Sequence, residues 1–406
     1  MEFGLMNENN AICTACGKRI YLFSRLVSAH CPECGAEINV DSAIEAHDAL
    51  YPTKGEGALS PAPQKFEINV GDFEITDGTL IKYKGAGGHI GIPDNVRAIG
   101  KEAFRGSGVK SVYMQRGIVT VGERAFLGCK SLERVELSES LKNIGALAFW
   151  GCELLTDVRL PRGLEKIEEY AFRGCASLKS LLIPRSVVEL GRGVFGECPS
   201  LESIEIEPSE KPLFKVVKGC LIAVKGGELI AACHGAVISA KGGVTVIGEH
   251  AFSRRRGLGE LVIPKGVAVI RKSAFESCEG LTGVRFPEGL NNIEESAFES
   301  CKELTSVSFH EGALAIRDNA FRWCKAIRRV ILPKGITHVG AAAFYGCDAL
   351  ERFSFEEPKR WLVKDISPEW MKNPNRNSFV PIRVSNPKKN AEMMKTSLFK
   401  IIVHGK

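Results

Sequence analysis

An Ala-Phe-x-x-Cys block, with close variants, recurs along this chain at a fixed spacing, and that spacing constrains the fold more tightly than any other feature. Phe126, Phe149, Phe172 and Phe195 form one series; Phe252, Phe275, Phe298, Phe321 and Phe344 form a second; each step within a series is 23 residues. A unit this short cannot enclose a core by itself. It buries an apolar face only against its neighbours, so the pattern predicts a repeat solenoid instead of a globular enzyme domain.

One unit, residues 161–183, reads PRGLEKIEEYAFRGCASLKSLLI. Its end spaces Leu178, Leu181 and Ile183 as L-x-x-L-x-I, which alternates like a strand with one buried face. A Pro-x-Gly turn and a second apolar pair precede the Ala-Phe-x-x-Cys piece, which is too short for a stable isolated helix and is expected as a single helical turn. Stacking should place the strands in one parallel sheet, about 4.8 Å apart.

Cys13, Cys16, Cys31 and Cys34 lie in the runs CTAC and CPEC, separated by fourteen residues. Two Cys-x-x-Cys turns bring four thiolates together for tetrahedral zinc, and Gly17 and Gly35 let the backbone close each turn. Four cysteines leave no open coordination position, so this zinc site should be structural; a redox pair or chance spacing are the alternatives. His30 beside Cys31 is a possible substitute ligand and otherwise a loop imidazole. Residues 1–40 are thus expected as a zinc ribbon, with 41–65, containing Pro52, Gly55, Gly57, Pro61 and Pro63, as a linker.

From Phe66 the segments FEINV, FEIT and TLIKY read as hairpin strands, an N-terminal β cap over 66–91. The solenoid should run over 92–355, interrupted at about 207–240, and end in a tail at 356–406. That tail holds eleven Lys or Arg against five Asp or Glu, which accounts for the whole net charge of +6. The rest of the chain is neutral, unlike a dedicated nucleic-acid binder, so nucleic acid is an unlikely partner. Met394, Leu398, Ile401 and Ile402 suit an amphipathic helix from about Pro387; LFKIIV alternatively suits a strand. The tail reads as a cap on the last coil, with membrane-surface or nucleic-acid contact as the other reading.

Units such as LPRGLEKIEEYAFRGCASLKSL and FPEGLNNIEESAFESCKELTSV resemble the BspA-type, or Treponema-type, leucine-rich repeat family over roughly residues 75–355. The resemblance implies a leucine-rich repeat superhelix with a parallel β-sheet face. In some family members it also implies adhesion to host or matrix proteins. The segment KPLFKVVKGCLIAVKGGELIAACHG resembles the hairpin-like interruptions of such proteins, and CTACGKRI with CPECGAEINV resembles small bacterial zinc ribbons.

The phenylalanines are expected to stack as a core ladder, and the cysteines three residues on (Cys129, Cys152, Cys175, Cys198, Cys278, Cys301, Cys324 and Cys347) as a buried ladder of small apolar groups. Ser107 and Arg255 replace the cysteine in two units. Metal binding and disulfides are the competing readings. Alternation places one residue per coil outward on the strand face: Tyr113, Glu136, Arg159, Leu182, Glu205, Val262, Arg285, Ser308, Ile331 and Ser354. Their variation is what a partner-binding face would show, and equally what a solvated face would show.

No catalytic constellation emerges. The eight histidines are scattered, neither His-x-x-x-His nor Gly-x-Ser-x-Gly occurs, and Glu168-Glu169 and Glu294-Glu295 fall at matching turn positions. The expectation is a non-catalytic scaffold for a protein or peptide partner, with a structural zinc. No run approaches the roughly 18 apolar residues of a membrane span, and MEFGLMNENNAIC lacks the features of a secretory signal, so a cytoplasmic location is expected. A cell-surface adhesin and a zinc-ribbon protein recruited to nucleic acid are the alternatives.

Overall fold

The computed structural model describes residues 66, 68–312, 314–356 and 386–396, with residue 157 by backbone alone. It gives the backbone of seven further strands, Asn10–Ile12, Arg19–Tyr21, Ala29–His30, Glu37–Ile38, Trp361–Asp365, Phe379–Ile382 and Phe399–Val403. The chain divides into two units, Met1–Glu67 and Ile68–Lys406. In the first, Asn10–Ile12 pairs antiparallel with Arg19–Tyr21, and Ala29–His30 with Glu37–Ile38. The four cysteines expected to bind zinc and the expected linker lie outside the described residues.

The second unit is a solenoid whose coils each contribute two strands, not one. Gly88–Gly91, Val109–Tyr113, Arg134–Glu136, Asp157–Val158, Ser180–Ile183 and Ser203–Ile206 form one parallel sheet. A second parallel ladder is built from two-residue strands, among them Thr120–Val121, Asn143–Ile144 and Lys166–Ile167. This corrects the single-sheet expectation: the second apolar pair of each unit is itself extended, with Val121, Ile144 and Ile167 fully buried. Each coil thus encloses its core between two sheets.

The Ala-Phe-x-x-Cys piece is not helical. Its N–H groups alternate between two destinations: those of Ala125, Leu127 and Cys129 bond to carbonyls three residues back, while those of Arg124, Phe126 and Gly128 bond to Ala146, Ala148 and Trp150 in the next coil. A helix would direct every N–H along its own axis, and these coils need half of them to join neighbours. The residue two before the phenylalanine takes a left-handed backbone to achieve this, as at Arg124 (φ 56), Leu147 (φ 59) and Ser296 (φ 56). Such a conformation costs about 1–2 kcal/mol at a non-glycine residue.

Inside, the phenylalanine rings stack. Phe126 to Phe149 is 5.1 Å, Phe298 to Phe321 is 5.2 Å, and both pairs are within 3° of parallel. The cysteines do more than fill space. Each repeat thiol donates to the phenylalanine carbonyl of the preceding coil, as Cys152 does to Phe126 (3.2 Å) and Cys301 to Phe275 (3.1 Å). These cysteines are buried and unbridged, and burial raises the thiol pKa of Cys129, Cys175 and Cys347. The two exceptions fall where a half-solenoid begins. Ser107 sits in the first coil, and Arg255 in the first coil after the interruption, where it donates to the Pro199 and Leu201 carbonyls.

The interruption is an antiparallel meander of Phe214–Val217, Cys220–Ala223 and Glu228–Ala232. Its first turn, Lys218-Gly219, has φ of 48 and 74, the two positive values a type I′ hairpin requires. Glu228–Ala232 then pairs parallel with Val246–Ile247, so the second ladder resumes. The strand-face sheet does not: Gly259–Val262 starts a separate sheet ending at Arg352–Phe355. The buried residues likewise form two clusters.

Both ends are covered. Phe73–Thr76 and Thr79–Tyr83 form a hairpin, and Tyr83 continues the ring ladder 5.1 Å from Phe104. Of FEINV, the described residues Phe66, Ile68 and Asn69 are not in a strand, and Val70–Asp72 is a short 3-10 turn capped by Asn69. In the tail, helix Pro387–Thr396 is capped by Asn386, which accepts from the Lys389 N–H. It buries Ala391 and Met394, and Asn390 donates to the Phe353 carbonyl of the last coil. Phe399–Val403 is a strand, antiparallel to Ile336–Val339 at the ladder's end. The i, i+4, i+7, i+8 series is therefore split: Met394 is helical while Ile401 and Ile402 are extended. This arrangement covers a sheet edge that would otherwise offer free N–H and C=O groups.

Candidate partner-binding surface

Because neighbouring coils pair in register, the outward strand residues form continuous rows. Tyr113 pairs with Glu136, Leu182 with Glu205, Val262 with Arg285, Arg285 with Ser308, and Ile331 with Ser354. Arg159, Leu182, Glu205, Val262, Arg285, Ser308 and Ile331 are exposed; Tyr113, Glu136 and Ser354 are half-buried. Burial pushes the Tyr113 phenol up to about 12, and the nearby Glu136 and Asp94 carboxylates add to it. The interruption divides this row into five residues before it and five after, and Arg159 falls just beyond the end of its strand, Asp157–Val158.

A second outward row, unrecognised in the sequence, lies two residues earlier on each strand. On the second sheet it runs Gly283, Ser306, Arg329, Arg352 in register. Here a recess of about 300 Å³ opens between Ser306–Ser308 and Arg329–Leu332, with Thr305, Arg328, Ile331 and Glu356 around it. The signal was present in the sequence: Arg329 and Arg352 stand one repeat apart. At the other end of the sheet the outward arginine is matched within the chain, Arg285 bonding Glu260 at 2.8 Å.

Where the two halves meet, Glu197, His250 and Glu276 bring potential metal-ligand atoms within 4.8 Å of one another. Glu197 is already held by Arg173 (2.9 Å) and Arg254 (3.2 Å). His250 is buried with an unpartnered Nδ1, 3.8 Å from Glu276. Burial, and after it Arg173, takes its pKa down to about 4, so the ring is neutral at pH 7; burial raises Glu276. Two guanidiniums balance the two carboxylates, which leaves little attraction for a divalent ion. Tyr170 donates to Glu249 beside this cluster, and the Glu197 N–H bonds the Ser253 hydroxyl where regular coils use backbone bonds. The cluster fastens the junction.

Among the described residues no helix is long and apolar enough to cross a membrane. A family model of the BspA-type leucine-rich repeat region matches residues 88–213 and 245–366 with six copies, more than half the chain. The pneumococcal vaccine antigen PcpA is 25% identical, with a TM-score of 0.53 over 66% of this chain; the chain spans 61% of that structure's length. A leucine-rich cell surface protein of Faecalibacterium prausnitzii is 23% identical over 75% of this chain and 96% of its own, with a TM-score of 0.46. A leucine-rich repeat protein of Bacteroides ovatus is 22% identical over 71% and 92%, with a TM-score of 0.37. No curated protein sequence matches the chain. The two matched stretches are the same two half-solenoids that the sheets and cores define, and the chain belongs to the BspA-type leucine-rich repeat family.

Proposed function

We propose that this chain is a non-catalytic scaffold that binds a protein or peptide partner along the outward strand rows, with a structural zinc in its first unit. The observation that carries the binding reading is the register of those rows. It sets side chains of varied chemistry about 4.8 Å apart on a rigid frame, so a partner would meet a preorganised surface with little ordering cost. Turn and core positions repeat for packing reasons, whereas most outward positions are exposed and vary in type, and they include the exposed apolar residues Leu182, Val262 and Ile331. Cross-linking the endogenous protein and mapping the partner's contacts tests this: contacts should concentrate on the strand rows, and contacts confined to the turns would refute it.

For zinc, the supporting observation is that each Cys-x-x-Cys run connects the two strands of an antiparallel hairpin, Asn10–Ile12 with Arg19–Tyr21 and Ala29–His30 with Glu37–Ile38. Two such turns would supply Cys13, Cys16, Cys31 and Cys34 as a closed tetrahedral set. Metal analysis of protein purified without added metal should give one zinc per chain. Disulfides among these four would overturn it.

A cell-surface role is the second reading, favoured by PcpA being a vaccine antigen. The cytoplasmic expectation gains no support from the similar structures. Proteolysis of intact cells separates the two: cleavage of the solenoid places it outside, and full protection places it inside.

A further inference from the structure

The second sheet carries a charge arrangement that its own fold does not explain. Arg329 and Arg352 are direct partners on adjacent parallel strands, both exposed. Like charges in that position destabilise a sheet. On the other side, Arg329 pairs with Ser306, which offers no counter-charge. Arg328 adds a third exposed guanidinium beside Arg329. Among the described residues none of the three is in an ion pair, although the same chain pairs Arg285 with Glu260, Arg271 with Glu228 and Arg256 with Glu279. Elsewhere the repeats routinely match lysine or arginine with glutamate one coil away, as Lys142 with Glu165 and Lys272 with Glu295. The arginine pair breaks that habit beside the recess: Arg329 lines it, and Arg352 adjoins it as the partner of Arg329 on the next strand.

The surroundings define what would fit. Exposed hydroxyls of Ser306 and Ser308 line one wall, and Ile331, 43% exposed, presents an aliphatic surface beside them. Glu356 lies at the far end, its carboxylate accepting from the Lys334 N–H. An anion is therefore favoured over the arginines and disfavoured at Glu356. Arginine forks match carboxylates bidentately and keep their charge at every accessible pH.

We propose that this recess binds an extended acidic segment of the partner, with carboxylates over Arg329 and Arg352 and an apolar side chain against Ile331. This assignment rests on the protein-binding reading and narrows it to one sheet and one ligand chemistry. A peptide that combines carboxylates with an apolar residue uses all three features of the site: fork donors, hydroxyls and an aliphatic patch. Free phosphate or a nucleic-acid backbone would use the arginines and the hydroxyls and leave Ile331 uncovered.

The test is fluorescence anisotropy with the full chain and a short labelled peptide of glutamates with interspersed isoleucine. Inorganic phosphate, single-stranded DNA and a lysine-for-glutamate peptide serve as competitors. The glutamate peptide should bind with an affinity that falls as salt rises, and the double substitution R329E/R352E should weaken it at least about tenfold. Val188→Ser, at an exposed position of the first half outside both strand rows, should leave it unchanged. Arg352→Gln separates recognition from folding: it should raise the thermal midpoint, by removing the like-charge contact, while weakening the peptide. Equal binding to wild type and R329E/R352E would overturn the assignment, as would displacement by phosphate or DNA as effective as by unlabelled peptide. A native partner cross-linked only to the first sheet would sink this inference and leave the scaffold reading standing. A native partner cross-linked to neither sheet would sink both.

Discussion

Replacing Phe298 with alanine tests how stability is distributed along the coils. Its ring is fully buried, stacked 4.9 Å from Phe275 and 5.2 Å from Phe321, with Phe286 edge-on at 5.6 Å. Truncating such a ring costs about 3–5 kcal/mol, a range that already contains the lost ring contacts. In a solenoid each coil touches only its neighbours, so the loss should stay within the half that contains it. The boundary is the interruption, where the buried residues separate into two clusters and Phe195 begins no new stack. Amide hydrogen exchange reads this directly. The Phe298 N–H, bonded to Ala320, should exchange roughly a hundredfold to a few thousandfold faster in the variant, the equivalent of that energy at about 1.4 kcal/mol per decade. The Phe149 N–H, bonded to Ala171 in the first half, should keep its protection within a few-fold. Equal loss in both halves would refute the nearest-neighbour account, and a loss below about 1 kcal/mol would refute the packing argument.

Other outcomes follow from the same structure. Cys301→Ala should destabilise by about 1–2 kcal/mol in urea unfolding, through lost volume and the lost bond to the Phe275 carbonyl, with Cys301→Ser recovering part of it because a donor remains. Stability should fall as pH drops from about 6.5 towards 4: the buried His250, with its pKa lowered to about 4, binds fewer protons folded than unfolded there. The raised pKa of Glu276 acts in the opposite sense over its own range, and Arg173, Glu197 and Lys272 are the other charged groups that face the ring. Melting curves of His250→Asn should show a flatter dependence across that window, and an unchanged slope would contradict the assignment. Finally, native protein treated with a zinc chelator should expose four reactive thiols, while the ten buried solenoid cysteines stay silent until the chain unfolds.

The repeat made the solenoid legible because one buried phenylalanine per coil has no other way to leave water. Val121, Ile144 and Ile167 were visible as apolar pairs, but a two-residue strand is too short to show alternation, so the second sheet was missed. The turn at Ala-Phe-x-x-Cys was read as helical from its length. Its left-handed residues, such as Arg124 and Leu147, are ordinary amino acids, and their conformation is imposed by bonds to the next coil. The outward row from Tyr113 to Ser354 came from parity alone, which depends only on strand register. The row holding Arg329 and Arg352 obeys the same parity but was passed over, because a pair of arginines on a strand is unremarkable until it becomes visible that neither forms an ion pair among the described residues. The Glu197, His250 and Glu276 cluster could not be foreseen, since its members meet across an interruption of unpredictable path.

The central claim is that the strand rows hold a partner. Cross-linking mass spectrometry on the protein isolated from its own cells, with and without R329E/R352E, measures this most directly. Reproducible cross-links from a partner's acidic segment to the strands around Ser306–Ser308 and Arg329–Leu332, lost in the variant, are the predicted result. A partner whose cross-links fall on the turns alone, unchanged by the variant, would contradict the account.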